Sequence, residues 1–245
     1  MDIRPAMITA KTPDDFSALA AGRFLATLEN MPRPLIALPT GNTPLGLYRE
    51  LAAHHTGRRD LWDRARFITL DEYLNLPPDD PRLFYNWLAR EFFDPLGIPP
   101  ENRIRMRSNA PEPDREAARI QSIIDDHGGI DMALLGLGEN GHLALNEPGS
   151  AFDSKTRMVA LTPETVQSNA RYWGDPSRVP RTAITLGLYD ITRARSVILL
   201  VTGAHKAGIL KRVLHGPVTP DIPATCLRTI DTATVIADGL ALPSN

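Results

Sequence analysis

The sequence contains little that would support a disulfide framework, a metal site or a membrane span. The one cysteine, Cys226, excludes internal disulfide bonds, and its apolar neighbours predict a packed thiol. The six histidines show no H-x-x-x-H spacing and no C-x-x-C pair occurs, so no metal site is predicted. No apolar run reaches membrane-spanning length, and the first residues lack the apolar segment of a signal peptide. We therefore expect a protein of the reducing cytoplasm.

An excess of positive charge is also lacking. The formal net charge is −2 and the sequence has no basic block, so neither nucleic acid nor an anionic membrane is an expected partner. A G-K-[ST] loop and a G-x-S-x-G turn are both absent, which excludes a Walker nucleotide loop and a serine-hydrolase nucleophile elbow. What remains is an α/β enzyme or binding protein for a small molecule.

Short apolar runs alternate with helical patterns along the 245 residues. This order predicts an α/β fold with a doubly wound, mostly parallel sheet in a single domain over residues 1–245. In the first helix, expected from residue 13 to about residue 30, apolar residues recur at helical spacing and predict a core face. The predicted strands are residues 6–10, 35–38, 65–70, 130–135, 157–161, 182–186, 196–201 and 233–237, and the core face of the first helix is Phe16, Leu19, Ala20, Phe24 and Leu28. Further helices are expected over residues 83–93, with Phe84, Trp87, Leu88 and Phe92 facing inward, and from residue 163 to about residue 172.

Residues 135–150, LGLGENGHLALNEPGS, bring glycines, a histidine and a glutamate together just after a predicted buried strand. Glycine lets the backbone turn tightly and approach a ligand closely. His142 and Glu147 then supply imidazole and carboxylate chemistry, the outline of an acid–base site. Two alternatives stay open on this pattern alone: a structural histidine, and a nucleotide-binding G-x-G-x-x-G turn that lacks its supporting features.

A second predicted loop, PTGNTP at residues 39–44, joins a strand to a helix. We expect Thr43 to cap that helix with Pro44 at its first position, so that Gly41, Asn42 and Thr43 present donors to an anion such as phosphate. Lys206, in the first turn of a later helix, opposes the helix dipole and fits an anion alongside. An ordinary capped turn and a solvated lysine remain the alternatives.

Two carboxylates, Asp71 and Glu72, directly follow the strand predicted at residues 65–70. The carboxyl ends of strands in open α/β sheets are where ligands bind. A solvated acid pair is the alternative for these residues alone. Polar side chains nevertheless follow three predicted strands, residues 35–38, 65–70 and 130–135. We expect these strand ends to form one shared crevice.

Four motifs, LPTGNTPLGLY, LDEY, LGLGENGHLALNEPGS and TGAHKA, occur in this order within residues 34–238. Together they resemble the glucosamine-6-phosphate deaminase family, which belongs to a wider group with the 6-phosphogluconolactonases. The resemblance implies a Rossmann-like sheet with helices on both faces, and conversion of glucosamine 6-phosphate and water to fructose 6-phosphate and ammonia. It implies no metal and no redox cofactor, and an amino-sugar phosphate as the partner.

The resemblance also implies roles for the acid–base residues. Asp71 would carry a proton from C2 to C1, and His142 would assist ring opening. Glu147 would orient the imidazole, and Asn140 stands where many family members have an aspartate, which affects the pKa of His142 and the pH optimum. The residues expected to hold the 6-phosphate are Thr40, Gly41, Asn42, Thr43, Arg171 and Lys206, and those expected near the sugar are Glu72, Tyr73 and Gly138.

Allosteric members of the family use basic groups at the position of Arg157 and two residues beyond it, where this chain has Val159. We therefore expect a non-allosteric monomer or small homo-oligomer. A mobile lid is expected between residues 152 and 172. Three other functions remain as alternatives: a 6-phosphogluconolactonase, a deaminase for another amino-sugar phosphate, and a sugar-phosphate sensor.

Overall fold

Two sheets organise the part of the chain that the computed structural model describes, residues 4–242. Its strands are β1 (Ala6–Ala10), β2 (Leu35–Leu38), β3 (Arg66–Thr69), β4 (Asp71–Tyr73), β5 (Arg103–Ile104), β6 (Met132–Gly136), β7 (Arg157–Ala160), β8 (Thr182–Thr185), β9 (Ser196–Val201) and β10 (Ala233–Asp238). Its α-helices are α1 (Pro13–Glu29), α2 (Asn42–His54), α3 (Arg59–Trp62), α4 (Phe84–Leu88), α5 (Pro113–His127), α6 (Pro163–Trp173), α7 (Leu188–Thr192) and α8 (Ala207–His215).

The larger sheet contains seven parallel strands in the order β1-β10-β9-β6-β2-β3-β5. Strands β2 and β9 are buried at every residue. Such continuous apolar runs are typical of parallel strands that helices cover on both faces. The predicted doubly wound, mostly parallel sheet is confirmed.

Alternate residues of each central strand pack into different cores, because successive side chains of a strand point to opposite faces. Ile198 and Leu200 of β9 join the core that contains the buried residues of α1 and α2. Val197 and Leu199 of the same strand join the core that contains those of α5 and α8. Helices therefore cover both faces of the sheet.

Helix α1 begins as the sequence predicts, with the Thr12 hydroxyl accepting the N–H of Asp15 at 3.1 Å. The prediction that Leu19 faces the core is wrong, since this side chain is 40% exposed. The buried stripe passes through Ala21 and Leu25 instead. At about 100° per residue, Leu19 lies well around the helix from these two positions.

The smaller sheet is antiparallel and has the order β4-β8-β7. The sequence predicted strands at β7 and β8 but not that they would leave the parallel sheet. It also placed residues 71–73 at the carboxyl end of a parallel strand and predicted no separate strand there, whereas Asp71 pairs with Thr185 and Glu72 with Ile184. Backbone pairing with a segment more than a hundred residues away makes these three residues a strand, and no local pattern reports such a pairing.

A third hydrophobic core joins the smaller sheet to α6. Its buried members include Tyr73 of β4, Ala183 of β8 and Val166 and Trp173 of α6. Helix α6 has the predicted start, because the Thr162 hydroxyl accepts the N–H of Thr165 at 3.2 Å. This core fixes α6 beside the carboxyl ends of the parallel strands.

The predicted cap of helix α2 is wrong. Gly41, not Thr43, precedes the helix, and its φ of 94° is a conformation that glycine adopts without strain. Because Gly41 makes this turn, the helix begins at Asn42 and has no side-chain cap. The first amides of an α-helix have no intrahelical acceptor, so those of Asn42 and Thr43 remain available to a ligand.

The helix predicted at residues 83–93 forms as α4 followed by a π-helical turn over Ala89–Phe93. Leu88 and Phe92 are fully buried, as expected. Phe84 and Trp87, also predicted to face inward, are only half-buried. Within residues 4–242, no helix is long and apolar enough to cross a lipid bilayer.

Replacing Phe24 with alanine tests the packing of α1. Phe24 is fully buried, and its ring centroid lies 6.4 Å from that of Phe92. We expect Phe24→Ala to lower the free energy of unfolding by about 3–5 kcal/mol, through lost burial and the cavity left behind. Leu19→Ala, on the exposed side of α1, is the control and should change it by less than about 1 kcal/mol. Urea unfolding followed by circular dichroism measures both, and equal losses would contradict the assigned helix face.

Candidate active site

A cavity of about 630 Å³ lies at the carboxyl ends of β2, β3, β6 and β9. The smaller sheet and α6 form its other side. The structure brings most of the predicted site residues to its wall, namely Thr40, Gly41, Asn42, Thr43, Asp71, Tyr73, Gly138, Asn140, His142, Arg171 and Lys206. Glu72 and Glu147 are not part of the wall. Both are buried behind it.

One end of the cavity is basic. The N-terminus of α2 meets Lys206, which precedes α8, and Arg171, near the end of α6. Neither cation forms an ion pair with a carboxylate anywhere in residues 4–242. Burial lowers the pKa of Lys206, the carboxylate of Glu139 opposes this, and the charge of Arg171 lowers it further. Helix amides and two cations without an ion pair together suit an anion.

The turn before Lys206 is held by a carboxylate from β10. The N–H of Gly203 donates to both oxygens of Asp238, at 2.9 and 3.1 Å. Thr202 also lines the cavity, and its hydroxyl lies 3.5 Å from that of Thr43. The two strand-to-helix turns that form the basic end are therefore in contact.

His142 is oriented by a short chain of polar groups. Its Nδ1 lies 2.7 Å from Oδ1 of Asn140, and the Asn140 Nδ2 donates to Oε2 of Glu147 at 2.9 Å. The other Glu147 oxygen accepts the hydroxyl proton of Thr165. A carboxylate only accepts, so the Asn140 amide must direct its nitrogen to Glu147 and its oxygen to His142. The neutral imidazole then carries its proton on Nδ1 and leaves Nε2 unprotonated.

Gly138 makes room for this imidazole. A Cβ at residue 138 would lie 2.4 Å from ring atoms of His142, closer than any real contact. The Gly138 N–H donates to the His142 carbonyl at 3.0 Å, which closes the turn. Glycine is therefore required here by the approach of the imidazole, in addition to any contact with a ligand.

Burial lowers the pKa of His142, and the carboxylate of Glu147 raises it in opposition. Lys206 lowers it further, and the exposed Glu139 raises it slightly. Because burial is the largest of these effects, the imidazole is neutral at neutral pH. Neutral imidazole with a free Nε2 is a proton acceptor.

Asp71 faces the cavity from β4 without a protein partner. Among the described residues no side chain or amide hydrogen-bonds to its carboxyl group, which is 9% exposed. Burial raises the pKa of Asp71 to about 8, and the neighbouring Glu72 contributes to the rise. Such a carboxyl group is a base of unusual strength once ionised.

Tyr73 is held between two aromatic rings. Its ring centroid lies 4.6 Å from that of Phe84 and 5.5 Å from that of Trp173. Its hydroxyl accepts a hydrogen bond from Asn169 of α6 at 2.9 Å. Burial raises its pKa, so the phenol stays neutral.

The comparisons with known proteins decide the family. A model described as glucosamine-6-phosphate isomerases/6-phosphogluconolactonase matches residues 11–236. The chain belongs to this family. A glucosamine-6-phosphate deaminase of Geobacillus sp. (strain WCH70) is 36% identical, covering 96% of this chain and 94% of its own length. Glucosamine-6-phosphate deaminase 1 of Bacillus subtilis (strain 168) is 33% identical, covering 95% and 96%.

Solved structures of both branches of the family share the fold. A structure described as a monomeric glucosamine-6-phosphate deaminase superposes with a TM-score of 0.92 at 33% identity, covering 96% of this chain and 98% of its own. The 6-phosphogluconolactonase of Trypanosoma cruzi superposes with a TM-score of 0.78 at 24% identity, covering 98% and 97%. The lactonase likeness supports the Rossmann-like fold alone.

Several residues of the wall were not predicted from the sequence. Arg82 pairs with Asp80 at 2.6 Å, and its guanidinium lies 4.0 Å from the ring centroid of Trp173. Phe84 and Trp87, which the sequence assigned to the core, also line the cavity. The aromatic spacing of α4 was the available signal, but it does not distinguish a core from a cavity wall. Further unpredicted members include Arg90, Asn169 and His205.

Arg157, which the resemblance related to effector binding, supports the loop that carries Glu147. Its guanidinium donates to Oδ1 of Asn146 at 2.9 Å and to the hydroxyl of Ser150 at 3.2 Å. Burial lowers its pKa. The absence of allosteric control in this family member stays a prediction.

Replacing Glu147 with glutamine tests the electrostatics of the chain of groups behind His142. Glutamine keeps the shape and an oxygen for Asn140, but it removes the charge that favours imidazolium. We expect the pKa of His142 to fall by roughly one unit, the effect of one nearby charge. The measurement is the histidine ring chemical shift against pH in NMR spectra. Glu139→Gln, which removes an exposed and screened charge, is the control, and a shift equal to that of Glu147→Gln would refute this prediction.

Proposed function

We propose that the protein converts glucosamine 6-phosphate and water to fructose 6-phosphate and ammonia. One observation carries the proposal: Asp71 and the free Nε2 of His142 face the same cavity, whose other end is a basic site without an ion pair. The relatives that are 33–36% identical over nearly the whole chain carry the name of this activity. The substrate supplies one phosphate for the basic end and one reactive sugar end for the two proton-transfer groups.

The phosphate binds at the N-terminus of α2. The amides of Asn42 and Thr43 donate to its oxygens, and the helix dipole favours its charge. Lys206 and Arg171 add charge-assisted hydrogen bonds, which are stronger than neutral ones. Burial has already removed part of the water around Lys206, so less water is lost when the dianion binds.

His142 opens the pyranose ring. In the neutral form its Nε2 accepts the proton of the anomeric hydroxyl while the bond between C1 and the ring oxygen breaks. The resulting imidazolium returns that proton to the ring oxygen, so the step leaves the histidine unchanged. Asn140 and Glu147 hold the ring in the required tautomer and stabilise its transient charge, as carboxylates do for other catalytic imidazoles.

Asp71 moves the carbon-bound proton. As a carboxylate it removes the proton from C2 of the open aldehyde form while O1 takes a proton from solvent, giving a planar enolamine. Asp71 then delivers the C2 proton to C1 while the amino group returns a proton to solvent. The product is the C2 imine of the ketose, to which water adds. Cleavage of the bond between C2 and nitrogen then releases ammonia and leaves the C2 carbonyl of fructose 6-phosphate.

Two alternatives use the same cavity. A 6-phosphogluconolactonase would need His142 to activate water and would give no role to Asp71 as a carbon base. The solved lactonases share the fold at low identity, 24% in the example given, which supports no activity. A deaminase for an epimeric amino-sugar phosphate would use the same residues, and substrate competition distinguishes it. We further propose that the enzyme acts as a monomer or small homo-oligomer, which its likeness to the monomeric deaminase supports.

Asp71→Asn and His142→Gln test the two chemical roles. Each variant removes a proton-transfer group but keeps the side-chain shape, so we expect kcat to fall by roughly 10²- to 10⁴-fold with the fold intact. The measurement is ammonia and fructose 6-phosphate released from glucosamine 6-phosphate, with circular dichroism as the folding check. Leu19→Ala is the control. A wild type that instead opens 6-phosphogluconolactone, or a variant that keeps full rate, would overturn the assignment.

Lys206→Ala tests the phosphate site. Losing one charge-assisted hydrogen bond should raise the KM for glucosamine 6-phosphate by roughly ten- to a hundredfold. Glucosamine without phosphate should be turned over equally poorly by both enzymes. Lys211→Ala, an exposed lysine on α8, is the matched control and should keep the wild-type KM. Equal effects of the two lysine variants would show that the basic end does not bind the phosphate.

A further inference from the structure

Asp71 and Glu72 are consecutive carboxylates that point to opposite sides of β4. Asp71 lines the cavity and has no hydrogen-bond partner within residues 4–242, whereas Glu72 is 1% exposed and lies behind the wall. Alternate residues of a strand face opposite sides, so two adjacent acids are held back to back. The backbone of β4 holds the two acids at adjacent positions of one strand.

Glu72 is held by backbone amides and not by a cation. Its Oε1 accepts the N–H groups of Tyr73 and Phe84 at 3.1 and 2.8 Å, and its Oε2 accepts that of Tyr85 at 2.9 Å. The last two amides belong to the first turn of α4, where the helix dipole also favours an anion. No lysine or arginine of the described chain forms an ion pair with it. The three amides therefore favour the ionised form of Glu72, and no ion pair cancels its charge.

The groups that face these two acids leave that charge largely unopposed. Strand β8, opposite β4, contributes Thr185, Ile184 and Ala183, none of which titrates. Arg105 lowers the pKa of Glu72, but as the smallest of the effects on it. The titratable or charged groups that share the cavity with Asp71 are Tyr73, Arg82, Arg90, Glu139, His142, Glu164, Arg171, Tyr172, His205 and Lys206.

We propose that Glu72 is a positioning residue for this reaction, whose buried charge strengthens Asp71 as a base while its carboxylate fixes the start of α4. The inference rests on the proposed function. Glu72 acts through its neighbours, since its oxygens are occupied by amides and it does not reach the cavity. Holding α4 also places Phe84 and Trp87, which form part of the cavity wall. Glu72 thereby links the base, Asp71, to the aromatic part of the cavity wall.

The physical basis is repulsion between like charges in a site with little water. Burial makes the larger contribution to the rise in the pKa of Asp71, and Glu72 makes the second. Burial likewise raises the pKa of Glu72, to about 7, against the lowering by its three amide donors. The two pKa values lie close together, so each acid titrates against the partial charge of the other. The reaction needs ionised Asp71, so its rate should rise with pH through about 8, the pKa of Asp71, and fall below it.

The first test compares pH profiles of kcat/KM for four enzymes. In the wild type the acid limb should lie near pH 8, the pKa of Asp71. In Glu72→Gln we expect the limb to move down by roughly half to one unit, because burial remains while the charge is lost. The rate above the limb should fall roughly two- to fivefold, as for a weaker general base. Titration of the substrate itself affects all four enzymes equally and cancels in the comparison.

Two further variants separate charge from shape. Glu72→Asp keeps the charge but shortens the arm to the α4 amides, so it should lose stability while retaining the wild-type acid limb. Asp79→Asn removes an exposed carboxylate from the neighbouring loop and should leave both properties unchanged. If Glu72 had a structural role alone, Gln and Asp variants would lower activity together and neither would move the limb. That result would overturn the inference.

A second measurement does not require the Gln variant to fold. Coupling between two titrating groups is reciprocal, so Asp71→Asn should lower the pKa of Glu72 by as much as Glu72→Gln lowers that of Asp71. Asp71 has no protein partner, so its amide variant should fold. Carboxyl ¹³C NMR titrations of wild type and Asp71→Asn report the value directly, and an unchanged Glu72 titration would overturn the inference.

The two measurements also separate this inference from the proposed function. If the wild type releases no ammonia from glucosamine 6-phosphate but the Glu72 titration shifts in Asp71→Asn, the function fails and the coupling between the acids is upheld. If the wild type is an active deaminase but neither the acid limb nor the Glu72 titration moves, the function stands and the role of Glu72 is refuted.

Discussion

The site depends on the way the backbone leaves the parallel sheet after β3. The N–H of Leu70 still donates to Leu38 of β2 at 3.1 Å, while its carbonyl accepts the N–H of Leu186 beside β8 at 2.8 Å. One residue thus bonds to both sheets, and β4 begins at the next. This transfer places Asp71 above the carboxyl edge of the parallel strands, where the turns carrying His142 and Lys206 also end. A strand that continued straight would extend beyond the cavity without crossing it.

The site contains charges that the protein does not neutralise with opposite charges. Lys206 and Arg171 have no carboxylate partner at one end, and Asp71 has no donor at the other. Burying an isolated charge is unfavourable, so the pKa of such a group shifts to favour the neutral form unless a bound ligand compensates the charge. The two ends of the cavity are therefore complementary to a molecule that carries an anion and an acidic carbon. The folded protein without a ligand is less stable than it would be if these charges had partners of opposite charge.

The sequence predicted the parallel sheet because its strands are local signals. Continuous apolar runs such as β9, and the helix cap at Thr12, can be recognised from a few adjacent residues. It did not predict the smaller sheet, since the three residues of β4 become a strand only through Thr185 and Ile184, far along the chain. The cap at Thr43 was misjudged for a related reason: the left-handed turn at Gly41 starts the helix two residues earlier. Residues such as Arg82 and Trp173 reach the wall through tertiary packing, which spacing does not report.

Asn140 orients the imidazole of His142 without placing a charge next to it. Its amide bridges His142 and Glu147, so the imidazole is held in one tautomer by a neutral group. Oε2 of Glu147 lies 3.6 Å from Nδ1 of His142, which is close enough to favour imidazolium. The hydrogen bond to Nδ1, however, is made by the Asn140 amide. An aspartate at this position would bring a second negative charge into direct contact with the ring and raise the pKa of His142. With asparagine, burial dominates and the imidazole stays a neutral base, while the strongly basic carboxylate of the site is Asp71. The positions of the negative charges thus explain why His142 is a neutral base and Asp71 a strongly basic carboxylate.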